Sequence, residues 1–219
     1  MHERALPLIS SAVPRCPWWH ASIKDLIGRP LAALALIALS PLFLVLAVLV
    51  LISSGRPVFH RRRVVGQGGD TFDALKFRTM VANADQILAN DEQLRSAFSV
   101  QHKLVEDPRV TRVGRFLRKY SLDEFPQLIN VLRGQMSLVG PRPLPVDEVL
   151  RFDELAHRRR LSVKPGLTCL WQVSGRNEVK DFRDWVRLDL EYIDNWSIWL
   201  DLKILLRTIP VVLLGTGAK

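Results

Sequence analysis

A chain of 219 residues has room for one apolar insert and one modest domain. Its 31 Lys and Arg against 22 Asp and Glu leave a net charge of +9, which calls for an anionic partner: nucleic acid, anionic lipid or a phosphorylated small molecule. The cysteines, Cys16 and Cys169, lack CxxC spacing, and His2, His20, His60, His102 and His157 lack ligand spacing. A disulfide framework and a zinc site are thereby excluded, and a reducing compartment is indicated.

Residues 1–20 hold Pro7, Pro14 and Pro17 and read as an irregular tail. Trp18-Trp19, just before Lys24, reads either as an interfacial anchor or as a pair of core aromatics. From Leu31 to Ile52 the chain (LAALALIALSPLFLVLAVLVLI) is uncharged and polar only at Ser40. At ~1.5 Å per helical residue this run could reach ~33 Å, enough to cross a bilayer core. Ser40-Pro41 interrupts it: proline removes a donor, clashes with the preceding turn and pushes the residue before it out of helical angles. Arg15, Lys24 and Arg29 precede the run and Arg56, Arg61, Arg62 and Arg63 follow it, so both ends are basic where a simple span shows asymmetry. A re-entrant dip with both ends cytoplasmic accounts for this best, and a spanning helix kinked at proline stays open. The run is too long and starts too late for the h-region of a signal peptide, about 7–15 residues. Such an insert also directs the basic charge to lipid headgroups rather than to nucleic acid. The organisation expected is a tail over 1–20, a membrane helix hairpin over 21–57 and a domain over 58–219.

Beyond a turn at Ser53–Pro57, Val58–His60 and Val64-Val65 read as short strands of a hairpin closed by Gly66–Asp70. The GQGGDT stretch lacks the third glycine and the βαβ setting of a dinucleotide fingerprint. Thr71–Met80 continues as a strand with Lys76 and Arg78 on one face, a small anion site or a solvated face. Ala82–Ser99 reads as a polar amphipathic helix, Glu106–Arg109 as a turn, and Val110–Lys119 alternates basic and apolar residues. The stretch richest in chemistry is Arg118–Gln127 (RKYSLDEFPQ), followed by a helix that ends near Arg133-Gly134. Ser121 and Glu124 have capping-box spacing, whereas Pro126 would start the helix after the carboxylates. Either register leaves Asp123 and Glu124 at a positive helix end, a place that also receives phosphate. Gly140-Pro141-Arg142-Pro143 holds one guanidinium on a stiff backbone, suited to bidentate phosphate contact or simply a proline-rich turn. Val146–Leu161 reads as a helix ending in Arg158-Arg159-Arg160, and Leu167–Val173 as a buried strand closed by Ser174–Asn177. Two helices close the chain. The first, Phe182–Trp196, aligns Trp185, Leu188, Tyr192 and Trp196; the second, Ile198–Leu214, lies in a membrane interface with Trp196 and Trp199 as anchors or belongs to the core.

Adjacent carboxylates among arginines suggest a divalent cation and a phosphorylated substrate, since Mg²⁺ is commonly held by one or two carboxylates with phosphate oxygens completing its shell. An aspartate can also attack phosphorus, with guanidinium groups stabilising the charge that develops. A non-catalytic lipid-phosphate-binding module would explain the charge and the apolar run but leaves the acidic pair without a role.

The ordered motifs Ser40-Pro41, LKFRTM (Leu75–Met80), DPRVTRVGRFLRKYSLDEFPQLINVLRGQMSLVGPRP (Asp107–Pro143) and KPGLTCLWQVSGRN (Lys164–Asn177) resemble those of the monotopic phosphoglycosyl transferases. These bacterial sugar transferases initiate exopolysaccharide, capsule and O-antigen assembly. The resemblance covers nearly everything from Lys24 onward. It implies an α+β, mostly helical monotopic membrane protein with a re-entrant helix broken at Ser40-Pro41, a small β-hairpin or sheet and interfacial amphipathic helices. It implies transfer of a hexose-1-phosphate from a UDP-sugar to undecaprenyl phosphate, releasing UMP, at the cytoplasmic face of the bacterial inner membrane. Matched residue by residue, Asp123 is the expected nucleophile, and Glu124 completes a dyad that handles Mg²⁺ or protons. Arg118 is expected at the polyprenyl phosphate and Arg142 at the nucleotide or sugar diphosphate. Lys76, Arg78, Asp107, Arg109, Arg112 and Arg176 are weaker substrate-binding candidates. The expected partners are the UDP-sugar, undecaprenyl phosphate, the membrane and, as an open option, a second copy of the chain; nucleic acid is not expected. Two departures stand out: Cys169 where the family's stretch carries glycine, and Phe125 where leucine is usual. The ending (SGRN…NWS…DL…TIP) is most similar to enzymes using galactose or glucose, and no long polytopic region is expected before the apolar run.

Overall fold

The apolar run folds as two helices that meet at an angle. The structure is a computed structural model, and it describes residues 18–101, 107–149, 158–175 and 182–215. Helix α1 (Trp18–Ala38) and helix α2 (Ser40–Ser54) are bent by 65° where Leu39 leaves helical angles (φ −90°, ψ 1°). Pro41 sits in the first turn of α2, where a missing N–H costs nothing. The Ser40 hydroxyl donates to the Ile37 carbonyl at 2.8 Å, taking up an acceptor at the end of α1. Among the described residues no single helix is long and apolar enough to cross a membrane; the bent pair together meets that length and composition. Helix α1 begins at Trp18, inside the stretch read as tail.

Each of the two helices has one face on the protein. Ala32 packs with Val64, Phe72, Leu128, Val131 and Met136, and Leu46 and Val50 pack with Phe77 and Leu117. The other faces leave Leu31, Leu34, Ile37, Leu44, Val45, Val48 and Ile52 exposed, an apolar surface far beyond what a water-facing helix carries.

Strands β1 (Phe59–Val65) and β2 (Thr71–Phe77) pair antiparallel, His60 opposite Lys76 and Val64 opposite Phe72. The first strand is one continuous element rather than two pieces. Two short helices, α3 (Ala84–Asn90) and α4 (Glu92–Gln101), replace the single helix expected there, because Asp91 is extended (φ −108°, ψ 107°). Helix α5 (Arg112–Lys119) is capped by Thr111, whose hydroxyl accepts from the Gly114 N–H at 2.9 Å. Gly114 has no substitute: a Cβ there would lie 2.0 Å from the Thr79 carbonyl oxygen, so α5 seats directly against the end of β2. A 3₁₀ turn (Leu122–Glu124) leads into α6 (Gln127–Leu132).

Strand β3 (Ser137–Val139), strand β4 (Leu144–Pro145) and helix α7 (Val146–Val149) follow; β4 adds to the free edge of β1 at Val64-Val65. Beyond Val149 the helix expected through Leu161 lies largely outside the described residues, and Arg160–Ser162 form a 3₁₀ turn. Strand β5 (Gly166–Thr168) runs parallel to β3. The buried strand expected over Leu167–Val173 is therefore corrected: it stops at Thr168, Cys169 is extended, and Leu170–Val173 is a helical turn, α8. Short apolar runs do not distinguish strand from helix by periodicity.

Helices α9 (Phe182–Asp194) and α10 (Ile198–Leu214) close the chain. Ile204 of α10 is buried while Ile198, Trp199, Leu202, Leu206, Ile209, Leu213 and Leu214 are exposed, so the helix has a core face and a broad apolar outer face. A buried hub ties α1 to this end. The Lys24 ammonium donates to the Val139 carbonyl (2.8 Å), to Asp201 (2.7 Å) and to the Tyr192 hydroxyl. Tyr192 and the Trp196 indole N–H both donate to Asp201, at 2.6 and 3.2 Å. Asp201 thus balances a buried cation. Trp19 is 47% exposed with its ring 6.0 Å from that of Trp196, an arrangement of rim rather than core.

Candidate active site

The loop before α6 turns because Ser121 adopts a left-handed conformation (φ 54°) and Pro126 cannot supply a helical N–H. The Ser121 side chain makes no capping bond, which removes the capping-box role for Glu124. The helix begins at Gln127, after the carboxylates, and Asp123 and Glu124 lie half-buried on the 3₁₀ turn.

Glu124 faces β2. Its Oε1 accepts from the Lys76 ammonium at 2.6 Å, with the two side chains 15% and 19% exposed. Lys76 is held in register by Asn130, which is fully buried on α6: its Oδ1 accepts from the Leu75 N–H at 3.0 Å, and its Nδ2 donates to the Asp73 carbonyl and to Gln135, both at 2.8 Å. A recess at this point is lined by Arg62, Ala74, Lys76, Glu124, Gln127, Arg142, Gly166, Cys169 and Gln172. The Arg142 guanidinium lies 5.4 Å above the Trp171 ring, which in turn packs 4.9 Å from Trp185. Gly140 and Gly166 let the Arg142 loop and β5 touch, since a Cβ on Gly166 would fall 2.1 Å from the Gly140 nitrogen.

Asp123 does not line that recess; it serves a second cationic group. Burial pushes the Arg118 guanidinium below its usual range, while the charges of Asp123 and then Asp107 oppose the shift. Arg118 Nε donates to the Thr79 hydroxyl at 3.0 Å. Asp107 and Arg109 form a two-point ion pair at 2.8 and 2.7 Å. Burial alone would raise the Asp107 carboxyl, but the hydrogen bonds and charge of Arg109 hold it below the usual range.

The structure therefore brings Lys76, Glu124 and Arg142 to one recess and Asp123, Arg118, Asp107 and Arg109 to its neighbour. Two candidates stand apart. Arg78 falls just beyond the end of β2, donates to the Arg56 carbonyl at 2.9 Å and does not line the recess. Arg112 opens α5 with its side chain exposed. Arg176 lies outside the described residues. Gln127 and Gln172 were missed in the sequence, although both sit inside the quoted motifs; a neutral amide carries no charge signal. Arg62 was missed because it read as one of four flanking charges. Among the described residues no three carboxylate, imidazole or thiol groups converge as a complete metal cage. The Asp123-Glu124 pair fits Mg²⁺ only as a partial shell that substrate phosphates complete.

A model of the bacterial sugar transferase family matches residues 19–215. The chain is 48% identical over 192 residues to the exopolysaccharide production protein ExoY of Sinorhizobium fredii, covering 86% of this chain and 84% of that protein. It is 47% identical over 188 residues to the undecaprenyl-phosphate galactose phosphotransferase of Salmonella typhimurium, covering 84% of this chain and 39% of that one. With the galactosyl transferase CpsE of Streptococcus agalactiae it shares 50% identity over 165 residues, 75% of this chain and 36% of the relative. The chain thus spans most of some relatives and little more than a third of others. It belongs to the bacterial sugar transferase family.

Proposed function

We propose that the protein transfers a hexose-1-phosphate from a UDP-sugar, UDP-galactose or UDP-glucose, to undecaprenyl phosphate and releases UMP. The observation that carries this is the acidic pair at the junction of two cationic groups, Lys76 with Arg142 on one side and Arg118 on the other. One group receives the donor diphosphate and the other the acceptor phosphate. The relatives' names support the substrate class: one is an undecaprenyl-phosphate galactose phosphotransferase, another a UDP-glucose:undecaprenyl-phosphate glucose-1-phosphate transferase.

In the first step an Asp123 carboxylate oxygen attacks the sugar-side phosphorus. The bond from that phosphorus to the bridging oxygen breaks, and UMP leaves with the electron pair. In the second step an oxygen of undecaprenyl phosphate attacks the same phosphorus, forming the diphosphate lipid and returning the Asp123 carboxylate. Lys76 and Arg142 stabilise charge on the donor phosphates, and Arg118 orients the acceptor. Asp123 and Glu124 would hold Mg²⁺, which supplies charge neutralisation to the diphosphate. Glu124 is paired to Lys76, so it would hold the ion only with that pair opened, leaving the Lys76 ammonium to meet a donor phosphate. The exposed faces of α1, α2 and α10 meet lipid, with the 65° bend returning the chain to the cytoplasmic face.

A panel of labelled UDP-sugars with Mg²⁺ and undecaprenyl phosphate tests the assignment. UMP release with label in the lipid, from UDP-galactose or UDP-glucose, is expected. No release from any UDP-sugar would contradict it and favour a lipid-phosphate-binding module.

A further inference from the structure

The Arg142 loop is stiff at its prolines and tied to β5 by backbone bonds at Gly140 and Pro141, and a further set of contacts reaches Arg142 itself. Arg160 and Asp189 form an ion pair with side chains only 4% and 3% exposed. The same guanidinium Nη2 donates to the backbone carbonyl of Arg142 at 3.4 Å. Asp189 also feels the Arg142 charge: burial raises its carboxyl, and Arg160 and Arg142 pull it back. Asp189 lies one helical turn beyond Trp185 on α9, and Trp185 packs on the Trp171 ring that carries the Arg142 guanidinium. One face of α9 therefore supports Arg142 twice, at its carbonyl through Arg160 and at its guanidinium through Trp171.

We propose that Arg160 and Asp189 are positioning residues for Arg142, holding its loop so that the guanidinium meets the donor diphosphate. A stability role alone explains the pair less well. Buried ion pairs are often no better than well-packed apolar residues of similar size, and two Arg160 donors, Nε and Nη1, are buried without a partner among the described residues. The assignment rests on Arg142 being a donor-diphosphate ligand.

The test is a double-mutant cycle on the full chain in lipid nanodiscs, with Asp189→Asn as the mild variant and Arg160→Met/Asp189→Leu as the apolar replacement. If the pair acts through Arg142, either change raises KM for the UDP-sugar ~10–100-fold with kcat changed less, as misplacement of a substrate clamp does. In an Arg142→Ala background the same changes then cost under ~2-fold, because their target is gone. Additive losses in the two backgrounds, or unchanged KM, overturn the proposal. Amide exchange gives a readout independent of turnover: the Gly140–Leu144 segment should exchange faster in Asp189→Asn while β1 and β2 keep their protection. Unchanged exchange there also overturns it. Failure of the wild type to use any UDP-sugar would instead count against the proposed function, with the exchange result still deciding whether the pair holds the loop.

Discussion

At the scale of single residues the account turns on which side chain touches which. Replacing Lys76 by Met removes a cationic partner of the Glu124 carboxylate and one cation of the proposed donor site. A loss of about 10²-fold in kcat/KM is expected, and combined with Glu124→Gln the two losses should be strongly non-additive; steady-state UMP release measures both. Asp107 makes a pH prediction. Its carboxyl is held below the usual range by Arg109, so the stability it contributes is present at neutral pH and is lost as pH falls through its lowered value. Asp107→Asn should be less stable than wild type at pH 7 and lose less stability on acidification below about pH 4, as followed by denaturant unfolding across pH. Glu124 and Arg142, which line the recess, were legible because charge beside proline or carboxylate is a local signal, whereas Lys76 stood out only by its spacing from Arg78. Arg78 lies outside the recess, just past the end of β2 at Phe77.

At the scale of elements, the bend at Leu39 decides topology. Ser40 and Pro41 announced it, and the bounds of α10, Ile198–Leu214, were also legible. The helical turn after β5 was not, since Cys169 ends the strand through backbone conformation that apolar composition does not encode. If α1 and α2 dip and return, single cysteines at Ser22 and Ser53, in a background lacking Cys16 and Cys169, should both be labelled from the cytoplasmic side only. Labelling of the two positions from opposite sides would show a span.

At the scale of the whole molecule, long-range polar pairs tie α1 to distant parts of the chain. Lys24 reaches Asp201 across 177 positions of sequence, and Lys164 reaches Asp25 across 139. No periodicity announces such pairs, which is why Lys24 read only as a flanking charge. Lys24→Met leaves Asp201 without its cation, and a loss of ~3–5 kcal/mol is expected from the unfolding midpoint in nanodiscs. Because Lys24 also holds the Val139 carbonyl, α1 is connected to the segment that leads into the Arg142 loop. The central claim is that Asp123 carries the phosphosugar between donor and lipid. Incubating the protein with UDP-hexose labelled at the sugar-side phosphorus, without acceptor, tests it most directly. The expected result is one equivalent of UMP, with acid-labile label on the peptide containing Asp123 that moves to undecaprenyl phosphate on addition and is absent in Asp123→Asn. Label appearing in the lipid at an undiminished rate in Asp123→Asn would contradict it.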